Sequence, residues 1–128
     1  MSDLWKRIEA IFEWHQKPEK DTSSIQALNR LAQEQVQSHD LPPLAPLTDK
    51  TSFSVLAASW PINELAKLPR RHARTKPAYD AGPVVVLQHY GYWLLDGNNR
   101  INKWISENST IPHEVLIVKP SRANDALD

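Results

Sequence analysis

"PVVVLQHYGYWLLDGNNRINKWI", residues 83–105, decides how this chain folds. Two apolar runs, Val84–Leu87 and Tyr92–Leu95, flank a turn containing Gly91, the pattern of a β-hairpin. Past Asp96-Gly97 the period changes. Ile101, Trp104 and Ile105 now fall on one helical face, and Asn98 or Asn99 is suited to cap that helix.

Working outward, "HEVLIVKP" at 113–120 reads as a last strand ended by Pro120, with a polar tail after it. Upstream, "TSFSVLAASWPINEL" at 51–65 reads as a short strand or turn leading into a short helix, "INELAKL", ended by Pro69. "PRRHARTKP" at 69–77 is a basic loop without apolar periodicity. The order is helix, loop, strand, strand, helix, strand. It predicts the α/β (α+β) class, a small mixed β-sheet with helices.

The first 40 residues read as a helical N-terminal extension. Leu4, Ile8, Ile11 and Phe12 repeat at helical spacing up to Pro18, and Ser23 or Ser24 can cap a second helix carrying Ile25, Leu28, Leu31, Ala32 and Val36. "DLPPLAPLTDK" packs Pro42, Pro43 and Pro46 into a stiff connector. The expected division is therefore 1–40 helical, 41–50 connector and 51–128 folded domain. Trp5 and Trp14 lie at different angles around the first helix, so at least one leaves its apolar stripe. Such a residue serves either packing on the sheet or contact with a partner, including a homodimer through these helices.

Composition narrows the function. Fifteen Lys+Arg balance fifteen Asp+Glu, so attraction to nucleic acid or anionic lipid needs a local patch rather than bulk charge. The absence of cysteine excludes thiol catalysis, thiolate metal sites and disulfides. Charges interrupt the N-terminal apolar residues and no run is long enough for a bilayer, so the expectation is a cytoplasmic protein without membrane contact. The histidines at 15, 39, 72, 89 and 113 show no metal-ligand spacing, and no zinc site is expected.

The chemistry-bearing stretch is Asp96 to Arg100. A glycine turn entering a helix offers unpaired amides and half a positive charge, a setting in which an arginine is unfavourable unless an anion sits beside it. Gly97, Asn98, Asn99 and Arg100 are thus candidates to hold a phosphate. The plain alternative is that Arg100 pairs with Asp96 and the asparagines serve as cap and turn. Arg70 and Arg71, in the only dense positive patch, are candidates for a second phosphate or nucleic-acid backbone contact. Glu64 and Asp96 are candidate catalytic acids, as general base or as holders of Mg²⁺ through water. Their plain roles are an exposed helix position and a turn residue.

From about Pro61 to Pro120 the chain resembles the ParB/sulfiredoxin superfamily, on "PINEL", "LPRR", "PVVVLQHYGYWLLDGNNRINKWI" and the closing "HEVLIVKP". The resemblance covers roughly half the chain. It implies a small α/β domain whose glycine–arginine turn, here Gly97 to Arg100, binds the phosphates of a nucleotide such as ATP or CTP with Mg²⁺. It also implies that Pro69-Arg70 matches an upstream Pro-Arg pair. Where sulfiredoxins carry a catalytic cysteine directly after the glycine, this chain has Asn98. Partition proteins have Glu-Arg, and the family's free-serine kinases have His-His, where this chain has Asn98-Asn99. Asparagine hydrogen-bonds but supplies neither a base nor charge near neutral pH, so binding survives that exchange more easily than catalysis.

Two functions from different classes follow. One is a nucleotide- or phosphodiester-binding domain with Mg²⁺-dependent phosphoryl-transfer or nuclease activity. The other is a catalytically inert scaffold acting through protein contacts, as a bacterial plasmid or phage regulator or inhibitor would.

Overall fold

The computed structural model describes residues 4–9, 24–49, 51–69 and 83–121. Residues 4–9 are helical (α1), followed by α2 (Ser24–Ser38), β1 (Phe53–Trp60), α3 (Ile62–Leu65), β2 (Val84–Gln88), β3 (Tyr92–Asp96), α4 (Asn98–Ser106) and β4 (His113–Pro120). The mixed α+β content matches the class expected. Pro18, Trp14 and the basic stretch 70–76 lie outside the described residues.

The four strands form one sheet in the order β1-β4-β2-β3. β1 runs antiparallel to β4, β4 parallel to β2, and β2 antiparallel to β3. Both faces are covered, which explains the sequence pattern of the inner strands. Val84 to Leu87 and Val115 to Val118 are buried at every position, so no polar residue alternates with them. On one face Phe53, Val85, Leu87, Leu95, Leu116 and Val118 pack against Trp5, Ile8, Leu28, Ala32 and Val36. On the other, Val84, Val86, Val115 and Ile117 pack against Leu65, Leu68 and Ile101.

α2 follows the expected helical spacing, burying Ala27, Leu28, Ala32 and Val36. It ends in a Schellman motif. Asp40 takes a left-handed φ of 53°, its amide bonds to the Gln37 carbonyl at 3.4 Å, and the Leu41 amide bonds to the Val36 carbonyl at 2.9 Å. The proline-rich connector then lies on this helix, with Leu44 and Leu47 buried in the common core. Asn29 and Gln33 hold it there. Asn29 Oδ1 accepts from the Leu47 amide at 2.8 Å, and Gln33 Nε2 donates to the Leu44 carbonyl at 3.1 Å.

Of the N-terminal apolar residues, Trp5 and Ile8 pack on the sheet, while Ile11 and Phe12 lie outside the described residues. Trp5 meets Phe53 with ring centroids 5.6 Å apart, and Ile8 is fully buried. Arg7 forms an ion pair with Glu114 on β4, tying α1 to the strand farthest from it in sequence.

β1 is longer and more regular than the "short strand or turn" expected. Eight consecutive residues pair with β4, from Phe53↔Pro120 to Trp60↔His113. Alternation is blurred because the strand lies at the sheet's edge and carries small residues such as Ala57 and Ala58, so periodicity alone understates it. α3 is shorter than "INELAKL" suggested. After one turn, the Lys67 amide bonds to Glu64 and the Leu68 amide to Leu65, the tighter i→i+3 pattern, before Pro69 is reached. No helix among the described residues is long and apolar enough to cross a membrane.

Candidate functional site

The β3–α4 junction is built on Gly97. It has φ 116°, a left-handed conformation open to glycine at little cost, and it is the N-cap of α4. A Cβ placed there would meet Val84 Cγ2 at 2.9 Å and Val84 Cα at 3.3 Å. Both conformation and packing therefore demand glycine. The expectation that Asn98 or Asn99 caps the helix is corrected by this geometry: both lie inside α4, and no side chain makes the cap hydrogen bond. The chain turns so tightly against β2 that the helix begins directly after the glycine.

Arg100 points into the protein. It is only 2% exposed. Its Nη1 donates to the Pro83 carbonyl at 2.6 Å, and its Nη2 pairs with the Asp96 carboxylate. The three groups come from the start of β2, the end of β3 and the first turn of α4, so one side chain joins all three elements. An arginine in a first helical turn is electrostatically awkward, and here the compensating anion is the protein's own. The Pro83 carbonyl is the partner that sequence reasoning did not name. A main-chain acceptor just ahead of a neighbouring strand leaves no trace in residue identity.

The remaining candidates are dispersed. Asn98 and Asn99 are half-buried in the first turn of α4, beside Gly97 and Arg100. Glu64 lies on α3, exposed, with Lys67 Nζ 3.2 Å from its Oε1, an ordinary i,i+3 surface pair. Asp96 is engaged by Arg100. Arg70 and Arg71 lie outside the described residues. Among the described residues no group of three His, Asp or Glu side chains could hold a metal ion.

One polar cluster was not anticipated. Trp104 of α4 stacks on His113 of β4, centroids 3.7 Å apart and planes within 6°, and His113 Nε2 lies 2.8 Å from Ser109 Oγ. Burial holds the imidazole below its usual pKa, so the neutral ring is favoured. Trp104 and Ser109 also line an open hollow of about 330 Å³ between α3 and α4, with Ile62, Ala66 and Ile105. Trp104 and His113 are nine residues apart and meet only because α4 returns the chain to the head of β4.

No family model, curated protein or solved structure matches this chain.

Proposed function

We propose that this chain is a non-catalytic α+β interaction domain, a ParB/sulfiredoxin-like scaffold in which the glycine–arginine junction holds the fold together. One observation carries the reading. The Arg100 guanidinium is buried, with Nη1 on the Pro83 carbonyl and Nη2 on Asp96, where a phosphate-binding arginine would face a ligand. Recruiting it to a nucleotide would mean extracting a buried charge from its pair, a change that costs several kcal/mol. Of the two acids suited to metal chemistry, Asp96 is engaged by Arg100, and Glu64 stands exposed on α3 with only a surface pair to Lys67. Large apolar side chains remain at the surface for a partner, among them Leu56, Tyr90 and Ile111. Such a domain acts as a regulator or inhibitor through contact rather than turnover.

The nucleotide- or phosphodiester-binding reading keeps one support. The first turn of α4 itself contains no acidic residue, and Asn98 and Asn99 stand in it. Calorimetric titration with ATP, CTP and short DNA in the presence of Mg²⁺ separates the two. The scaffold reading expects no saturable binding and no hydrolysis. Saturable binding that weakens at least tenfold in Asn98→Ala/Asn99→Ala, with the fold intact, would overturn it and restore the phosphate site.

A further inference from the structure

The two edges of the sheet are treated differently. β3, at one edge, is five residues long, its pairing with β2 slips at Val85/Val86, and it ends in a charged residue, Asp96. Shortness, irregular pairing and charge are the usual means by which a sheet edge is kept from pairing with another chain. β1, at the other edge, has none of them. Its eight residues, "FSVLAASW", include no charge, proline or glycine, and all eight keep an unbroken register with β4. Among the described residues no strand lies on its outer side.

The apolar packing also stops abruptly at that edge. Register places Leu94 opposite Val86, Val86 opposite Ile117, and Ile117 opposite Leu56, a single row across all four strands on one face. Val86 and Ile117 are buried, whereas Leu56, the last member, is 52% exposed. A sheet edge with no strand beside it among the described residues and an unfinished apolar row thus coincide at one residue.

We propose that a second copy of this chain pairs with β1, antiparallel and centred on Leu56, to make a continuous eight-stranded sheet across a two-fold axis. Side chains directly opposite in an antiparallel pair share a face, so a two-fold axis perpendicular to the sheet requires a register that keeps residue parity. Centring on Leu56 meets that requirement. It sets Leu56 against its own copy, Val55 against Ala57, Ser54 against Ala58 and Phe53 against Ser59. The row then runs Leu94, Val86, Ile117, Leu56 and back through the same four residues of the copy. On its own face Leu56 is flanked by the small Ser54 and Ala58, so the two strands do not obstruct each other at the centre of the pairing. No like charges meet along the strand, and the chain's net charge of zero adds no general repulsion. A self-complementary patch of this kind is the ordinary basis of a two-fold dimer. The pairing is independent of whether the β3–α4 junction binds phosphate.

The full chain is examined by sedimentation equilibrium from micromolar to millimolar concentration. The expected mass is twice the 14.6 kDa of one chain, and Leu56→Lys is expected to sediment as the single chain with an unchanged circular dichroism spectrum. Because the protein contains no cysteine, Leu56→Cys introduces a single thiol. Opposed Cα atoms in an antiparallel pair lie about 4.5–5.5 Å apart, within disulfide reach. Mild oxidation should link Leu56→Cys into dimers at least tenfold faster than Ile111→Cys, a control at a residue 63% exposed. A monomeric wild type throughout, a dimer that survives Leu56→Lys, or equal cross-linking of the two cysteine variants would each overturn the proposal.

Discussion

Arg100 and Asp96 form an ion pair one helical turn apart, buried at the point where β2, β3 and α4 converge and completed by the Pro83 carbonyl. Removing one member of such a pair strands the other charge without water. Asp96→Ala is therefore expected to destabilise the fold by about 3–5 kcal/mol in urea denaturation. Arg100→Met, which fills the same space without charge, should cost less, because the Asp96 carboxylate left behind keeps more contact with solvent. Equal losses would mean that the carboxylate stranded by Arg100→Met costs as much as the guanidinium stranded by Asp96→Ala, despite its greater exposure.

Gly97 and Gly91 both have positive φ, but only Gly97 is pressed against backbone. Gly97→Ala must relieve a 2.9 Å approach to Val84 and accept an unfavourable φ, which together cost on the order of 1–3 kcal/mol or more. At Gly91 the nearest neighbour is the Trp93 ring at 3.3 Å, a side chain able to shift. Thermal melts of the two alanine variants should show the larger drop at Gly97.

Two kinds of contact hold α1 to the sheet, and their magnitudes differ. The Arg7–Glu114 pair is roughly two-fifths exposed on both sides, so Glu114→Gln should cost no more than about 1 kcal/mol. Trp5 is buried against Phe53, and Trp5→Ala should cost about 3–5 kcal/mol. The arginine hydrogen bond holds the Glu114 carboxyl below its usual pKa. Its small contribution is present above the ordinary carboxylate range and lost as pH falls through the lowered folded value. A wild type and Glu114→Gln whose stabilities converge in acid would agree with this.

His113 carries a pH dependence from the base side. Its folded pKa is lowered by burial, so between the usual 6.5 and that lower value the unfolded chain binds more protons than the folded one. Stability is fully present above about pH 6.5 and declines as pH falls through this window. Histidine resonances followed by NMR should place His113 below a freely solvated histidine. A titration at or above the ordinary value would show that the stacked Trp104 ring favours the charged form.

Periodicity was enough for much of the architecture. The Val84–Leu87 and Tyr92–Leu95 runs, the turn at Gly91, the helix after Gly97 and the strand ending at Pro120 were all legible, because each depends on neighbours within a few residues. The glycine itself was legible for the same reason. Tertiary structure alone decided the direction in which Arg100 points, since its partners are a carboxylate one turn away and a carbonyl seventeen residues back. It also decided that β1 is a full edge strand, because small residues at a sheet margin have no strong alternation to display and become a strand only through pairing with β4. Local preference fixes which elements form. Which charges are neutralised, and which edges are left open, depends on groups that only the folded chain brings together.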